Sequence, residues 1–328
     1  MALEEVEEVP AIPTVSRWVA RFSGFPLKEL LFNPEAMVKA QIKAQKAIGY
    51  DALFAYYDAL YVPEAFGGHL IFRTTGADVS PIDLNNEEEV EALPMPDIRK
   101  DGRLPLILNF AERLVQFPKR EVPVLGLFEG PFTTSARILG AEKMMRGLMK
   151  NRAMVERMLE KVGRLLSDFG QALFKIGIDG LIIADPVGSS TMISPKFYKE
   201  FVLPPLQRLI EDLGGPIILH VCGDTQSILT LMAESGANIL SLDQCMNLNL
   251  AKQIIAGRCG IGGNVDPMVL LSGTPEDVRR ETLRCLEQGG KKGYVLMAGC
   301  AVPAETPFEN LKTMIEVARS VPLESNKR

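Results

Sequence analysis

Short apolar segments alternate with longer amphipathic segments along most of the 328-residue chain. Seven short segments are continuously apolar or rich in β-branched residues, which is typical of parallel strands that are covered on both faces. These predicted strands are residues 51–57, 122–128, 180–185, 216–222, 237–243, 259–265 and 293–300. The intervening segments predict helices at 34–48, 133–150, 152–176, 195–213, 225–234, 248–255, 275–288 and 307–319. Three hydroxyl residues that precede a proline are the predicted N-caps of such helices: Ser194, Thr274 and Thr306.

The strict alternation of strands and helices predicts a parallel sheet. Seven strands are clear, and an eighth is predicted, from a weak pattern, before Trp18. This α/β pattern and the length of the chain favour an eight-stranded (β/α)8 TIM barrel with an N-terminal extension. A doubly wound open sheet is the competing fold, but no glycine-rich dinucleotide loop follows an early strand.

The barrel interpretation divides the chain into three parts. We expect an N-terminal extension at residues 1–30, a catalytic barrel domain at 31–322 and a disordered tail at 323–328. Residues 67–101 are polar and interrupted by prolines, so we expect an excursion or hairpin over the mouth of the barrel.

Composition narrows the class of protein. The net charge of −5 argues against a nucleic-acid binder, which would need a basic surface. The chain has no apolar run of 18 residues that would predict a membrane span, and its acidic start lacks the apolar core of a signal peptide. Five cysteines without paired spacings do not indicate a disulfide framework. We therefore expect a reduced, globular, cytoplasmic protein.

In a βα barrel the active site lies at the carboxyl ends of the strands. Ten polar residues close the predicted strands or follow them directly: Asp58, Glu129, Asp185, His220, Cys222, Asp224, Asp243, Asn264, Asp266 and Cys300. The histidine and the two cysteines in this set are the strongest candidates for chemistry, since the whole chain has two histidines and five cysteines.

His220 and Cys222 are two residues apart on one predicted strand, so both side chains project to the same side. Cys300 ends another strand and can approach from across the mouth. Two thiols and an imidazole are a donor set typical of zinc, and three protein ligands leave a fourth position for substrate. The alternative is a buried histidine with two core cysteines, and spacing alone does not decide between them. The glycines next to the two cysteines favour a functional site.

The other three cysteines are interpreted as packing residues: Cys245, Cys259 and Cys285. Cys245 follows Asp243 by two residues and is a minor candidate for a fourth metal ligand.

From about residue 30 to residue 320, the chain resembles the uroporphyrinogen decarboxylase superfamily and, more closely, its methylcobalamin:coenzyme M methyltransferase branch. The motifs that carry this resemblance are Glu129-Gly130-Pro131-Phe132-Thr133, Ile183-Ala184-Asp185-Pro186-Val187, Ile193-Ser194-Pro195, Leu219-His220-Val221-Cys222-Gly223-Asp224, Gly263-Asn264-Val265-Asp266-Pro267, Gly299-Cys300-Ala301-Val302-Pro303 and Thr306-Pro307-Phe308-Glu309-Asn310-Leu311.

Two positions distinguish the branches of this superfamily. The decarboxylases have no His-x-Cys pair, and they carry a histidine where this chain has Cys300. The methyltransferases have the pair and the distal cysteine and use them to hold zinc. The resemblance therefore implies that His220, Cys222 and Cys300 are zinc ligands.

One segment keeps the decarboxylase interpretation open. Decarboxylases begin with an Arg-Gln-Ala-Gly-Arg-Tyr motif that binds substrate carboxylates, and residues 17–22 keep both arginines and an aromatic residue but lose the glutamine and the glycine. Arg17 and Arg21 either lie on a solvated helix face or hold an anionic group of a substrate or corrinoid. Asp58 falls where the decarboxylases place an aspartate that contacts pyrrole NH groups.

The resemblance implies a zinc-dependent methyltransferase. It would move a methyl group between a methyl-Co(III) corrinoid, either methylcobalamin or a corrinoid protein, and a zinc-activated thiol or another methyl donor or acceptor. Asp58, Asp185 and Asp243 are the candidate catalytic residues, and the last two are hypothesised to orient His220 or to lie near the substrate.

The expected partners are a separate corrinoid protein, since the chain shows no corrinoid-binding motif, and a small thiol or methylated substrate; no nucleic acid and no membrane are expected. Two alternatives stay open, a metal-free decarboxylase-type lyase and a non-catalytic barrel that binds a corrinoid or tetrapyrrole.

Overall fold

The computed structural model describes residues 6–56, 58–73, 76–118 and 120–320. The tail predicted at 323–328 lies outside these residues. The strands of the described part are β1 (Leu53–Phe54), β2 (Leu70–Arg73), β3 (Gly76–Val79), β4 (Val124–Glu129), β5 (Gly180–Ala184), β6 (Ile217–Val221), β7 (Ile239–Leu242), β8 (Gly260–Val265) and β9 (Tyr294–Ala298). Seven of them form one parallel sheet in the order β1-β4-β5-β6-β7-β8-β9, and this confirms all seven predicted strands.

Helices connect these strands. Their bounds are α1 (Ser16–Ser23), α2 (Leu27–Phe32), α3 (Pro34–Ile48), α4 (Tyr61–Ala65), α5 (Glu87–Ala92), α6 (Leu104–Val115), α7 (Pro131–Leu139), α8 (Ala141–Lys150), α9 (Arg152–Ile176), α10 (Pro195–Phe197), α11 (Leu203–Leu213), α12 (Leu229–Ala233), α13 (Leu248–Ile255), α14 (Pro267–Ser272), α15 (Pro275–Gly289) and α16 (Phe308–Ser320). A π-helical turn joins α10 to α11. Among the described residues, no helix has both the length and the apolar character needed to span a membrane.

Two details of the helix predictions are wrong. The helix predicted at 133–150 is two helices, because Gly140 between them has φ +84°, a backbone conformation that ends a right-handed helix. Thr306 does not cap α16, since its hydroxyl is buried without a hydrogen-bond partner among the described residues. The other two predicted caps are confirmed: Ser194 accepts from an amide of its helix, and Thr274 forms a capping box with Asp277.

The excursion predicted at residues 67–101 contains the antiparallel hairpin of β2 and β3. This hairpin follows β1 at the carboxyl end of the sheet. The prediction of a hairpin in this stretch is confirmed.

A short segment around Ala11 lies between the two edge strands of the sheet. On one side, Ile12 donates its amide to the carbonyl of Leu296 at 2.8 Å, and the amide of Leu296 donates to Pro10, also at 2.8 Å. On the other side, the amide of Asp51, just before β1, donates to the Ala11 carbonyl at 2.9 Å. The segment therefore connects both edges of the sheet, in the stretch before Trp18 where an eighth strand was predicted.

Tight packing holds the longest helix, α9, against the sheet and against α11. Gly170 of α9 faces this contact, and a Cβ atom there would lie 2.3 Å from a methyl group of Leu213 and 3.3 Å from the ring of Phe128. Only glycine allows this approach, so the position is set by packing.

We expect Asp51→Ala to weaken the connection between the Ala11 segment and β1. The carboxylate of Asp51 accepts the Ala11 amide at 2.7 Å and pairs with Arg319. Losing a charge-assisted hydrogen bond at this half-buried position should lower the free energy of unfolding by about 1–3 kcal/mol in chemical denaturation. The control Asp83→Ala removes an exposed aspartate that pairs with Lys143, and its effect on the unfolding free energy should be much smaller. Equal effects of the two substitutions would contradict this account.

Candidate metal centre

The register of the parallel sheet places several predicted site residues on one face. The strands pair Glu129 with Ala184, Ala184 with His220, His220 with Ser241, and Ser241 with Gly262. Residues paired in this way on parallel strands project to the same face, so these five form one interior row. Gly262 has no side chain in this row, and the place of one is filled by Met297, whose Sδ atom would lie 2.7 Å from a Cβ atom there.

The structure brings together the histidine and the two cysteines of the predicted site. The Nε2 atom of His220 lies 3.1 Å from Sγ of Cys222, and this sulfur lies 3.6 Å from Sγ of Cys300. The potential ligand atoms of the three residues all lie within 4.8 Å of one another, and all three side chains are half-buried. We refer to these three residues as the trio.

Two of the three spacings within the trio are close to those around a tetrahedral zinc ion. With Zn–S bonds of about 2.3 Å and Zn–N bonds of about 2.0 Å, a tetrahedron has S···S edges of about 3.8 Å and N···S edges of about 3.5 Å. The observed 3.6 Å and 3.1 Å are within about half an ångström of these edges. Two sulfurs and one imidazole nitrogen are also the donor types that zinc prefers.

The contact between the two thiols shifts their pKa values in opposite directions. Contacts with Cys222 and then with His220 hold the pKa of the Cys300 thiol well below its usual range. The same contact with Cys300, together with burial, raises the pKa of Cys222 well above its usual range. This lowering favours the thiolate of Cys300, and the thiolate is the form of cysteine that binds metals.

Ser241 orients the imidazole. Its hydroxyl oxygen lies 3.1 Å from Nδ1 of His220, and its carbonyl oxygen lies 3.3 Å from the same nitrogen. Since a backbone carbonyl only accepts, this arrangement favours a proton on Nδ1 and leaves Nε2 facing the sulfur of Cys222. Ser241, which sequence reasoning did not single out, takes the orienting position that had been hypothesised for Asp185 or Asp243.

Asp243 holds the turn that follows Cys222. Its Oδ2 atom accepts the amide of Gly223 at 2.8 Å, and its Oδ1 atom accepts the amide of Cys245 at 3.1 Å. Gly223 has φ +81°, a conformation that favours glycine, so the turn depends on this residue type. Behind the turn, Asn264 donates to the Asp243 carbonyl at 2.9 Å.

Asp185 follows β5, and its fully buried carboxylate lies against the start of α7. Its Oδ1 atom accepts the amide of Thr133 at 2.8 Å and the hydroxyl of the same residue at 2.5 Å. Its Oδ2 atom has no hydrogen-bond partner among the described residues, and burial raises the pKa of the carboxyl group to about 7. Its link to the trio is through the backbone, where the Asp185 amide donates to the carbonyl of His220 at 2.9 Å.

Asp58 lines the cavity that opens next to Cys300, but its carboxylate is paired with a cation. The guanidinium of Arg103 donates to both oxygens of Asp58, at 2.8 Å and 3.1 Å, and to Glu64 at 2.6 Å. Arg103 is only 1% exposed, so this is a buried network of one cation and two carboxylates. Sequence reasoning missed Arg103, which is 45 residues from Asp58.

A cavity of about 660 Å³ opens next to Cys300. Its lining residues are Thr14, Ser16, Arg17, Ala20, Arg21, Phe25, Leu27, Leu31, Tyr56, Asp58, Ala59, Leu60, Gly76, Ala77, Asp78, Leu127, Glu129, Arg137, Cys300, Ala301, Ala304 and Glu305. Both arginines of the 17–22 segment are therefore in the cavity wall, although the side chain of Arg21 is also 66% exposed. Glu129 is bound through both oxygens by Arg137, which reaches it from α7.

The three remaining cysteines stand apart from the trio. Cys259 and Cys285 are buried, as expected of packing residues. Cys245 is exposed, so its interpretation as a packing residue is wrong. Among the described residues, the cluster of potential ligand atoms contains the trio and not Cys245.

Comparison with known proteins gives a consistent family match. The family model described as uroporphyrinogen decarboxylase (URO-D) matches residues 1–321. A methylcobamide:CoM methyltransferase of Methanosarcina barkeri is 28% identical, covering 94% of this chain and 92% of its own. A uroporphyrinogen decarboxylase of Thermus thermophilus is 31% identical, covering 90% of this chain and 87% of its own. A solved structure described as a methyltransferase from Methanosarcina mazei has a TM-score of 0.88 at 26% identity, covering 96% of this chain and 95% of the other.

Asp185 should make the stability of the protein depend on pH. Its pKa is about 7 in the folded chain, against about 3.9 for an exposed aspartate. The folded state therefore binds more protons between these values, and the contribution of Asp185 to stability is lost as pH rises from about 4 to about 7. Asp185→Asn removes this titration but keeps an oxygen acceptor for Thr133. The stability of the variant relative to wild type should rise by up to about 1.4 kcal/mol per pH unit in this window and level off above it.

The measurement is chemical denaturation of both proteins from pH 4.5 to 8.5. A difference in unfolding free energy that stays constant over the whole range would show that Asp185 is ionised throughout.

Proposed function

The chain belongs to the uroporphyrinogen decarboxylase family, and from this premise we propose that it is a zinc-dependent corrinoid methyltransferase. It moves a methyl group between a methyl-Co(III) corrinoid and a thiol, or another methyl donor or acceptor, in the cavity beside Cys300. The observation that carries the proposal is the trio, whose ligand atoms lie within 4.8 Å of one another and whose Cys300 lines that cavity. Relatives named as methylcobamide:CoM methyltransferases support it.

His220 through Nε2 and both cysteines through Sγ are the residues that would hold zinc. Once bound, zinc supplies a Lewis acid that lowers the pKa of a substrate thiol while the sulfur remains nucleophilic. Ser241 keeps the imidazole in the required orientation, and Asp243 fixes the turn after Cys222. Of the candidate catalytic aspartates, Asp58 is the one that lines the cavity, and we propose that it contacts the substrate.

In the thiol-accepting direction, the substrate thiol loses its proton and the sulfur attacks the methyl carbon of the methyl-Co(III) corrinoid. The S–C bond forms as the C–Co bond breaks, and the electron pair of the broken bond stays on cobalt as Co(I). In the opposite direction, Co(I) supplies the electron pair of the new C–Co bond. The bond between the methyl carbon and the heteroatom of the methylated substrate breaks, and the heteroatom leaves with the electron pair of that bond and takes up a proton. The cavity and the trio serve both directions equally.

The corrinoid comes from outside the cavity. A corrinoid is too large to be enclosed in a space of about 660 Å³ that also holds a substrate. We therefore propose a separate corrinoid protein as the partner, which presents its corrinoid at the mouth of the cavity.

A decarboxylase-type lyase is the alternative that the sequence left open. The relative from Thermus thermophilus and the position of Arg17 and Arg21 in the cavity wall favour it. A metal-free decarboxylation gives no role to two thiols and an imidazole in contact, and a non-catalytic tetrapyrrole-binding barrel gives them none either.

The Ala11 segment serves, in this proposal, as the eighth strand that closes a (β/α)8 barrel, because it is hydrogen bonded to both edges of the sheet. The domain boundaries after residues 30 and 322 remain predictions. The cytoplasmic location also remains a prediction.

Metal analysis tests the zinc site. We expect one zinc per wild-type chain after purification and less than about a tenth of a zinc per chain in Cys300→Ala, because two remaining ligands bind zinc far more weakly than three. The control Cys245→Ala changes a cysteine outside the trio and should keep its zinc. Wild-type protein with zinc in fewer than about a tenth of its chains would falsify the proposal, since sites with three such ligands normally bind tightly.

Turnover tests the reaction. Absorbance should show that methylcobalamin loses its methyl group in the presence of at least one thiol from a panel, and Cys300→Ala should slow this by at least about a hundredfold. The reverse reaction is assayed with Co(I) cobalamin and methylated donors. No reaction with any thiol or methylated donor, despite bound zinc, would count against an enzyme working in either direction. Decarboxylation of uroporphyrinogen by zinc-free protein would favour the lyase.

A further inference from the structure

We propose that the small substrate of this site has an uncharged, apolar body of several carbon atoms attached to its thiol or methyl-bearing group. This inference rests on the proposed methyl transfer and deepens it, because it names the class of molecule that the cavity selects. It comes from the lining, the size and the charge balance of the cavity beside Cys300.

The cavity lining combines charged side chains with an apolar part. Helices α1 and α2, the segment that joins them and the segment after β1 provide most of this apolar part. It includes Ala20, Phe25, Leu27, Leu31, Tyr56, Ala59, Leu60 and Leu127. Phe25, Leu27 and Ala59 are only half-buried, so part of their apolar surface is available to a ligand. Covering this surface with a hydrocarbon group would be favourable.

The size of the cavity exceeds what a two-carbon thiol needs. Pockets of roughly 300–1,000 Å³ enclose ligands of the size of a typical drug. At about 660 Å³, this cavity lies in the middle of that range. A two-carbon thiol at Cys300 would leave most of the apolar lining in contact with water, so the shape favours a longer molecule.

The charges of the lining are close to balanced. Arg137 binds Glu129 and lies 3.8 Å from Asp78, and Arg21 lies 4.0 Å from Glu305. Asp58 is paired with Arg103 behind the wall.

With its neighbours already paired, Arg17 adds at most one further positive charge to the cavity. A substrate with many carboxylates would need more positive charge than this lining offers. An uncharged body is therefore the better match.

A homologous series of ligands tests the inference without any methyl transfer. Calorimetry on the purified protein would measure the binding of n-alkyl methyl thioethers and of n-alkanethiols, from ethyl to hexyl. We expect affinity to rise by about three- to fourfold for each added methylene until the apolar lining is covered. The small anionic thiol 2-mercaptoethanesulfonate should bind at least tenfold more weakly than hexanethiol. Affinities that do not change with chain length, or tighter binding of the anionic thiol, would overturn the inference.

Two substitutions locate this binding. Ala59→Phe places a ring in the cavity. It should lower the affinity for hexyl ligands by at least tenfold and change the affinity for ethyl ligands little. Ala172→Phe makes the same change in a groove on α9, away from the trio, and should leave the whole series unchanged. Leu27→Gln is a second cavity variant, which should reduce the gain per methylene. If Ala59→Phe and Ala172→Phe have the same effect, the apolar ligands bind elsewhere and the inference is wrong.

The same ligands separate this inference from the proposed function. Demethylation of methylcobalamin at equal rates with short and long thiols would leave the proposed function in place and overturn the inference. Affinity that rises with chain length, together with no methyl transfer to any of the thiols or from any of the methyl thioethers, would have the opposite meaning. This result would support an apolar ligand site and contradict the proposed methyltransferase activity.

Discussion

The register of the parallel sheet is the constraint on which the candidate site depends. It pairs His220 with Ser241 and directs both side chains to the same face as Glu129. A shift of β6 by one residue would turn His220 and Cys222 to the opposite face and separate them from Cys300. The position of Cys300 depends in turn on Gly299, where a Cβ atom would lie 2.4 Å from the backbone nitrogen of Gln244. The trio is therefore a consequence of backbone geometry as much as of residue type.

Charge pairing shapes the space around the trio. Arg103 holds Asp58 and Glu64, and Arg137 holds Glu129, so the buried carboxylates nearest the cavity already have cationic partners. Leaving a buried charge without a partner is costly, and these pairs avoid that cost. They also leave the two sulfurs and the imidazole as the groups with unused capacity to bind a ligand. The site thus combines a soft donor set with surroundings that are close to neutral.

Much of this arrangement was predictable from the sequence, and the rest needed the register. Continuous apolar segments predicted the seven strands, and the spacing of His220 and Cys222 predicted that both would face one side. The role of Ser241 could not be predicted, because a serine within an apolar strand is linked to the histidine only when the pairing of β6 and β7 is known. Arg103 was missed for a similar reason, since its partner Asp58 is distant in sequence and no periodic pattern connects them. Gly140 was ambiguous, because a single glycine is tolerated within many helices.

Zinc K-edge X-ray absorption of the purified protein reports the atoms around the metal and so shows whether the trio holds it. If the trio holds zinc, we expect two sulfur atoms at about 2.3 Å and one nitrogen at about 2.0 Å from the metal, with a third sulfur after addition of a thiol. A zinc environment of oxygen and nitrogen alone, or two sulfurs that persist in Cys300→Ala, would contradict this expectation.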